Sequence, residues 1–291
     1  MLAKDLFARI GYTDDIIAQY HKYNALIGNR FEALAQKTIA EDLPLAESLQ
    51  TAQALVPDLH PHTADLMFIL ACTGYLLDKY NAAGIPEEMF YDAMQDIRCK
   101  TEECLALHKV FGTFVGYWYE GFFNLTRFAF GRLQFDVKRH VGEARCVAGH
   151  CVVEGDLKLS CHIPSLGPLL HDACIDAYRK AYHYFAGELK DKKLVVYCNS
   201  WLLMPDYLPV FRENAPNTYR FVKDYTVVTT TEKESFTDGW RVFGTEVTSR
   251  DTTELPNDTR LRRGFLGHIA SGGKFGTAVG YLVFDGNNIL T

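Results

Sequence analysis

The apolar periodicity of this chain changes once, near Gly131, and that change restricts its fold more than any other feature. From Thr13 to about His108 apolar residues recur at helical spacing. Start signals stand at Thr13-Asp14-Asp15, at His62-Thr63-Ala64-Asp65 and at Pro86-Glu87-Glu88, where a proline at a first turn is followed by acids. The stretch Phe111 to Phe130 carries nine aromatics, with Phe111, Phe114, Trp118, Phe122 and Leu125 on one helical face. It predicts a single buried helix joining two domains.

Beyond Phe130 the period becomes two. Leu133, Phe135 and Val137 face one way and Arg132, Gln134, Asp136 and Lys138 the other, as in a half-buried strand. A strand is expected over Arg145 to Val153, and another with Leu157, Leu159, Cys161 and Ile163 on its apolar face. Pro164-Ser165-Leu166-Gly167-Pro168 breaks that strand, and Leu169 to Leu189 reads as a helix. The continuous apolar run Leu194 to Cys198 predicts a central strand covered on both faces. A short helix around Tyr207 to Phe211, a strand near Tyr225 to Thr231, a helix from Asn257-Asp258-Thr259 to Ala270, a turn at Gly272-Gly273 and a strand Ala278 to Phe284 complete the pattern. The fold class is therefore α+β, with a helical domain over residues 1–125 and a mixed-sheet domain with flanking helices over 126–291.

Charge narrows the partners. The 30 basic and 36 acidic residues leave −6 overall, and the part up to Leu125 holds −8 of it against +2 for the rest. No Lys/Arg run exceeds two residues, which argues against nucleic acid. No apolar segment suggests a signal peptide or a membrane span, so a cytoplasmic protein without membrane partners is expected. The eight cysteines lack a tight spacing pattern and read as reduced thiols.

Two familiar signatures fail. Gly273-Lys274 is followed by Phe275, with His268 where a Walker loop requires Gly, and Ser200 is flanked by Cys198 and Leu202 instead of the glycines of a nucleophile elbow. Cys146, His150, Cys151, Cys161 and His162 contain soft ligands in no regular zinc spacing, and read as structural residues. A Cys198/His162 nucleophilic pair has equally little support. The turn between the strand ending at His162 and the next helix is more informative. Its small residues, Ser165 and Gly167, admit a ligand to the free amides of a helix start, which suits pyrophosphate; an ordinary capped turn gives the same pattern.

Several blocks recur together in one order: Gly131-Arg132-Leu133-Gln134-Phe135, His162-Ile163-Pro164-Ser165 with Gly167-Pro168-Leu169, Ser200-Trp201-Leu202-Leu203, and Leu255-Pro256-Asn257-Asp258-Thr259 followed by His268 and Gly272-Gly273. From about Phe122 to Phe284 the chain thereby resembles bacterial acyltransferase-like proteins that join a helical N-acyltransferase N-terminal domain to a GNAT-like C-terminal domain. The turn lacks the superfamily's Gln/Arg and Gly-x-Gly/Ala pattern, and Asn199 stands where many relatives have His.

The resemblance implies transfer from acetyl-CoA or another acyl-CoA to an amine on a small molecule or peptide, without a metal. It places CoA at Ile163, Ser165, Leu166, Gly167 and Leu169. His162 is the expected base, since an imidazole ordinarily titrates near pH ~6.5. Ser200 or Tyr207 is the expected proton donor to the leaving thiolate, and Gln134, Asp136, Asn199 and Trp201 are expected on the acceptor side. The alternatives are a non-catalytic acyl-CoA or small-molecule binding protein of the same fold, and a hydrolase using Cys198 or Ser200.

Overall fold

The computed structural model describes residues 2–290, which divide into two compact units: residues up to Ala129 together with Pro164–Leu166, and Phe130–Ile163 with everything from Gly167 on.

The first unit is helical. Its elements are α1 (Leu2–Ile10), α2 (Asp14–Ile27), α3 (Glu32–Ile39), α4 (Leu45–Leu55), α5 (Pro61–Ala82), α6 (Glu87–His108) and α7 (Glu120–Phe123). Thr13 caps α2 by accepting from Ile16 N, as its position before two acids predicts. Helix α5 starts slightly earlier than expected, with Pro61 in its first turn and His60 Nδ1 accepting from His62 N at 3.1 Å. It is buried on nearly every side, through residues such as Leu66, Phe68, Ile69 and Leu76, and packs against α3, α4 and α6.

The expected helix over Phe111 to Phe130 does not form. Lys109 adopts a left-handed conformation that ends α6, and the chain runs irregularly to a 3-10 turn at Gly116–Tyr119. Tertiary hydrogen bonds take the place of helical ones: Thr63 Oγ1 donates to Phe111 O at 2.7 Å and Thr113 N to His62 O at 2.9 Å. Gly112 lies so close to α5 that a Cβ there would stand 2.5 Å from the His62 carbonyl carbon. The aromatics mark burial, and the glycines mark close approach.

Strand β1 (Arg127–Phe130) leads into the second unit, which contributes β2 (Leu133–Arg139), β3 (Arg145–Val147), β4 (His150–Val152), β5 (Leu157–His162), α8 (His171–Tyr184), β6 (Leu194–Ser200), α9 (Leu208–Asn214), α10 (Pro216–Lys223), β7 (Thr226–Lys233), α11 (Trp240–Phe243), α12 (Arg260–Ala270) and β8 (Phe275–Phe284). The main sheet has the order β1-β2-β5-β6-β8-β7. Its β5–β6 pair is parallel, with α8 as the crossover, while β2–β5, β6–β8 and β7–β8 are antiparallel. Strand β6 is interior, as its unbroken apolar run predicts.

The sheet register separates two faces. Phe135, Cys161, Val196, Cys198 and Leu282 share one, under α8, whose Tyr178 ring lies 6.1 Å from both Phe135 and Phe284. Gln134, Asp136, Lys138, Lys158, Ser160, His162, Tyr197 and Tyr281 share the other. Val147 and Val152 cover part of that second face by packing on Val195, Tyr281 and Val283.

Several sequence expectations need correction here. The strand expected over Arg145 to Val153 is a hairpin, because Ala148 and Gly149 both take positive φ, the geometry of a two-residue reversal. The reversal sets Cys146 opposite Cys151, and the two form a disulfide, so the cysteines are not all reduced thiols; the other six are free and buried. Gln134 and Asp136 are buried instead of solvent-facing. Helix α8 is shorter than Leu169 to Leu189, since Leu170 is still extended and Phe185 leads into a 3-10 turn at Ala186–Glu188. Helix α10, started by Pro216, lies outside the expected pattern.

Candidate active site

The parallel ladder between β5 and β6 is short. Only Leu159↔Val196 and Ser160↔Tyr197 pair, although β5 continues to His162 and β6 to Ser200. Past Ser160 and Tyr197 each strand keeps only its antiparallel neighbour: β5 stays with β2 through Gln134↔His162, and β6 with β8 through Asn199↔Val279. The carboxyl ends of two parallel strands thus part, and their facing backbone groups need other partners. Such ends are where sheets with parallel strands place their ligands.

His162 stands at this opening. Its Nε2 lies 3.1 Å from Asp136 Oδ2, close enough for charge attraction though not aligned as a hydrogen bond, with side-chain exposures of 27% and 12%. The diagonal register creates the approach, because Asp136 faces Ser160 and Gln134 faces His162 on the same side of the sheet. A carboxylate so placed stabilises an imidazolium and fixes the ring. Sequence periodicity alone put these two residues on matching strand faces, and the structure brings them together.

The other expected residues separate more widely. Asn199 is exposed on β6, on the same face as His162. Ser200 Oγ accepts from Leu202 N at 3.2 Å, capping the next turn and keeping its own proton for donation. Tyr207 is fully buried among Trp201, Phe236, Phe265 and His268, with ring centroids 5.2 to 6.0 Å away. Its hydroxyl accepts from Gly276 N at 3.2 Å and is pushed up to about 12 by burial. Trp201 belongs to the same aromatic cluster, also meeting Phe211.

Within the turn after β5, Ile163 is half-buried and Leu169 buried. Ser165 and Leu166 fall in the first unit, where Ser165 Oγ donates to Glu103 Oε1 at 2.6 Å and Glu103 also pairs with Lys100. Leu166 N donates to Pro164 O, whereas Gly167 has φ +78° and open space where a Cβ would stand. Arg132 carries a role that sequence reasoning missed. Its Nε donates to Pro168 O at 3.2 Å and its Nη2 to Gly167 O at 2.8 Å, so a guanidinium pins the turn and brings it positive charge. Its inclusion in the block Gly131 to Phe135 was the available signal.

Two rival assignments are overturned. Cys198 and His162 project from opposite faces, and Cys198 is buried beside Cys161, which with burial drives its thiol far up; it is no nucleophile. Cys161 and His162 likewise diverge, and Cys146 and Cys151 are bonded to each other, so the five soft ligands do not converge.

A helical unit followed by a mixed sheet whose parallel β5–β6 pair opens beside a His–Asp pair defines a GNAT-like architecture. The chain belongs to the N-acyltransferase family that combines an N-acyltransferase N-terminal domain, matched over residues 1–125, with a GNAT-like C-terminal domain, matched over residues 127–282. Among solved structures it resembles an acyltransferase in complex with decanoyl-CoA and teicoplanin, at 17% identity and TM-score 0.68, covering 96% of this chain and 86% of that one. It also resembles an acyltransferase mutant in complex with octanoyl-CoA, at 18% identity and TM-score 0.67 over the same shares. These likenesses are of fold. No curated protein matches the chain significantly.

Proposed function

We propose that the protein transfers an acyl group from acyl-CoA to the amine of a small molecule or peptide. The observation that carries this reading is the His162–Asp136 pair at the open end of the β5–β6 ladder, in a chain of this family. Fold neighbours held with octanoyl-CoA and decanoyl-CoA support an acyl-CoA co-substrate, and one held with teicoplanin supports a small-molecule acceptor.

The amides of the thioester arm suit the backbone edges where the two strands part. The pyrophosphate is assigned to Gly167, Leu169 and the free first-turn amides of α8, beside Arg132, with Ile163 as a wall. Ser165 and Leu166 fit this seat less well, since Ser165 is held by the Glu103 carboxylate. His162 takes the proton from the attacking amine, and Asp136 stabilises the resulting imidazolium. The C–N bond forms as the C–S bond breaks, the thiolate leaves with a proton from Ser200, which is more open than Tyr207, and the proton held by His162 returns to Ser200 through solvent. The products are an amide and free CoA. Asn199 borders the acceptor, and Trp201 backs that end of β6.

No helix among the described residues is long and apolar enough to cross a membrane; the reading places the reaction in the bacterial cytoplasm. Calorimetry with acetyl-, octanoyl- and decanoyl-CoA tests the proposal: at least one should bind, and binding of none overturns it.

A further inference from the structure

On the face of the sheet that holds His162, three cations gather, and among the described residues only Lys138 pairs with a carboxylate. Lys138 and Lys158 are direct cross-strand partners, an arrangement of like charges that destabilises a sheet by itself. The hairpin brings in a third. Its register places Arg145 on the same side as Val147 and Val152, the side that packs on the sheet. Burial and the Arg145 charge push the Lys158 ammonium down.

The acid that pairs with Lys138 is shared. Asp136 Oδ2 is 3.8 Å from Lys138 Nζ but 3.1 Å from His162 Nε2. Lys158 and Arg145 form no ion pair among the described residues. Lys158 Nζ donates instead to His140 Nδ1 at 3.3 Å and lies 4.9 Å over the Tyr197 ring, which stacks on Tyr281 at 5.8 Å. His140 brings no carboxylate to the cluster, its Nε2 lying 2.8 Å from Glu143 O. Repelling cations above a flat aromatic floor form a seat for an anion.

We infer that Lys158, Arg145 and Lys138 bind a carboxylate of the acyl acceptor, making that acceptor an amine with an anionic group at a fixed distance. Lys158 lies four residues from His162 along β5, so the separation is about 13 Å, the length of roughly four extended peptide residues. Only the amine end rests on the acyltransfer reading; the anion seat stands by itself.

Tetraglycine and tetraglycine amide, titrated into the full chain by calorimetry at low salt, test the inference. The carboxylate form should bind about tenfold more tightly than the amide. The double variant Lys158→Gln/Arg145→Gln should abolish that preference, and Lys158→Arg should retain it. Equal binding of the two peptides, binding of neither, or a preference that survives in the double variant overturns the proposal. Acetyl-, octanoyl- and decanoyl-CoA titrated into the same proteins separate the two ideas: the affinity of whichever binds should not change with the substitutions, and failure of all three to bind the unaltered chain removes the acyltransfer reading while leaving the anion seat to the peptide result.

Discussion

The two faces of the main sheet carry different residues under different cover. Under α8, the thiols of Cys161 and Cys198 and the phenols of Tyr178 and Tyr225 are sealed, and the two tyrosine hydroxyls bond each other at 2.9 Å. Burial drives both phenols far up, and contact with Cys161 together with burial does the same to Cys198. One residue along each strand, His162 and Asp136 lie on the other side, part of which is covered by the Val147 and Val152 side chains of a short hairpin. Residue type and cover together decide which groups remain available for chemistry. A fourteen-residue helix lies over the first side, whereas strands of three residues reach Val195, Tyr281 and Val283 on the second, where the His162 side chain keeps 27% exposure.

The largest expected effects test that contrast directly. Phe135→Ala empties a fully buried position beside Phe130 and Tyr178, and should cost about 3–5 kcal/mol in chemical denaturation. A loss below about 1 kcal/mol, the range of an ordinary surface change, would break the comparison. On the other face, His162→Gln should reduce turnover by about 100-fold or more with little effect on octanoyl-CoA affinity. If CoA binding or folding is lost and turnover shows no separate change, His162 belongs to the scaffold.

How much of this was legible in the sequence depended on whether a signal was local. Alternation in β2 and β5 placed Asp136 and His162 on corresponding faces, and the apolar run of β6 marked an interior strand, because period-two patterning is a direct consequence of strand geometry. The Phe111 to Phe130 stretch misled because aromatic spacing reports burial alone; the tertiary bonds from Thr63 and to His62 that hold its backbone lie some fifty residues away. The disulfide was hidden for a related reason. Cys146 and Cys151 become opposed only once Ala148-Gly149 reverses the chain, and Ala is a weak indicator of positive φ. The Lys138, Lys158 and Arg145 cluster needed both the sheet register and the hairpin's docking, and neither can be read from one segment.

The hairpin supplies the next test. Replacing Cys146 and Cys151 by Ser, or reducing them with a dithiol, removes the cross-link from a loop of about six residues, which is worth about 2 kcal/mol. The loss should appear as faster hydrogen exchange in residues 145–152, with exchange in β6 and β8 little changed, and as a weaker preference for tetraglycine over its amide as Arg145 loses its place. Uniform acceleration through the whole sheet would mean that the hairpin is integral to the core and not a partial cover.

The smallest expected effect concerns the turn beside the opening. Gly167 has φ +78°, and nothing lies within 4 Å of where its Cβ would be, so a larger side chain meets no steric obstacle. The cost of Gly167→Val comes from holding an L-residue in the left-handed region, about 1–2 kcal/mol. Arg132 grips the Gly167 and Pro168 carbonyls, so the turn cannot relax without breaking charge-assisted hydrogen bonds. If the amides after Gly167 seat pyrophosphate, the strain should weaken CoA binding by about tenfold, as read by calorimetry. Gly167→Asn should weaken it less, since Asn enters the left-handed region more readily. Equal CoA affinity in the unaltered chain and Gly167→Val would remove the phosphate from this turn and leave Arg132 as a structural clamp.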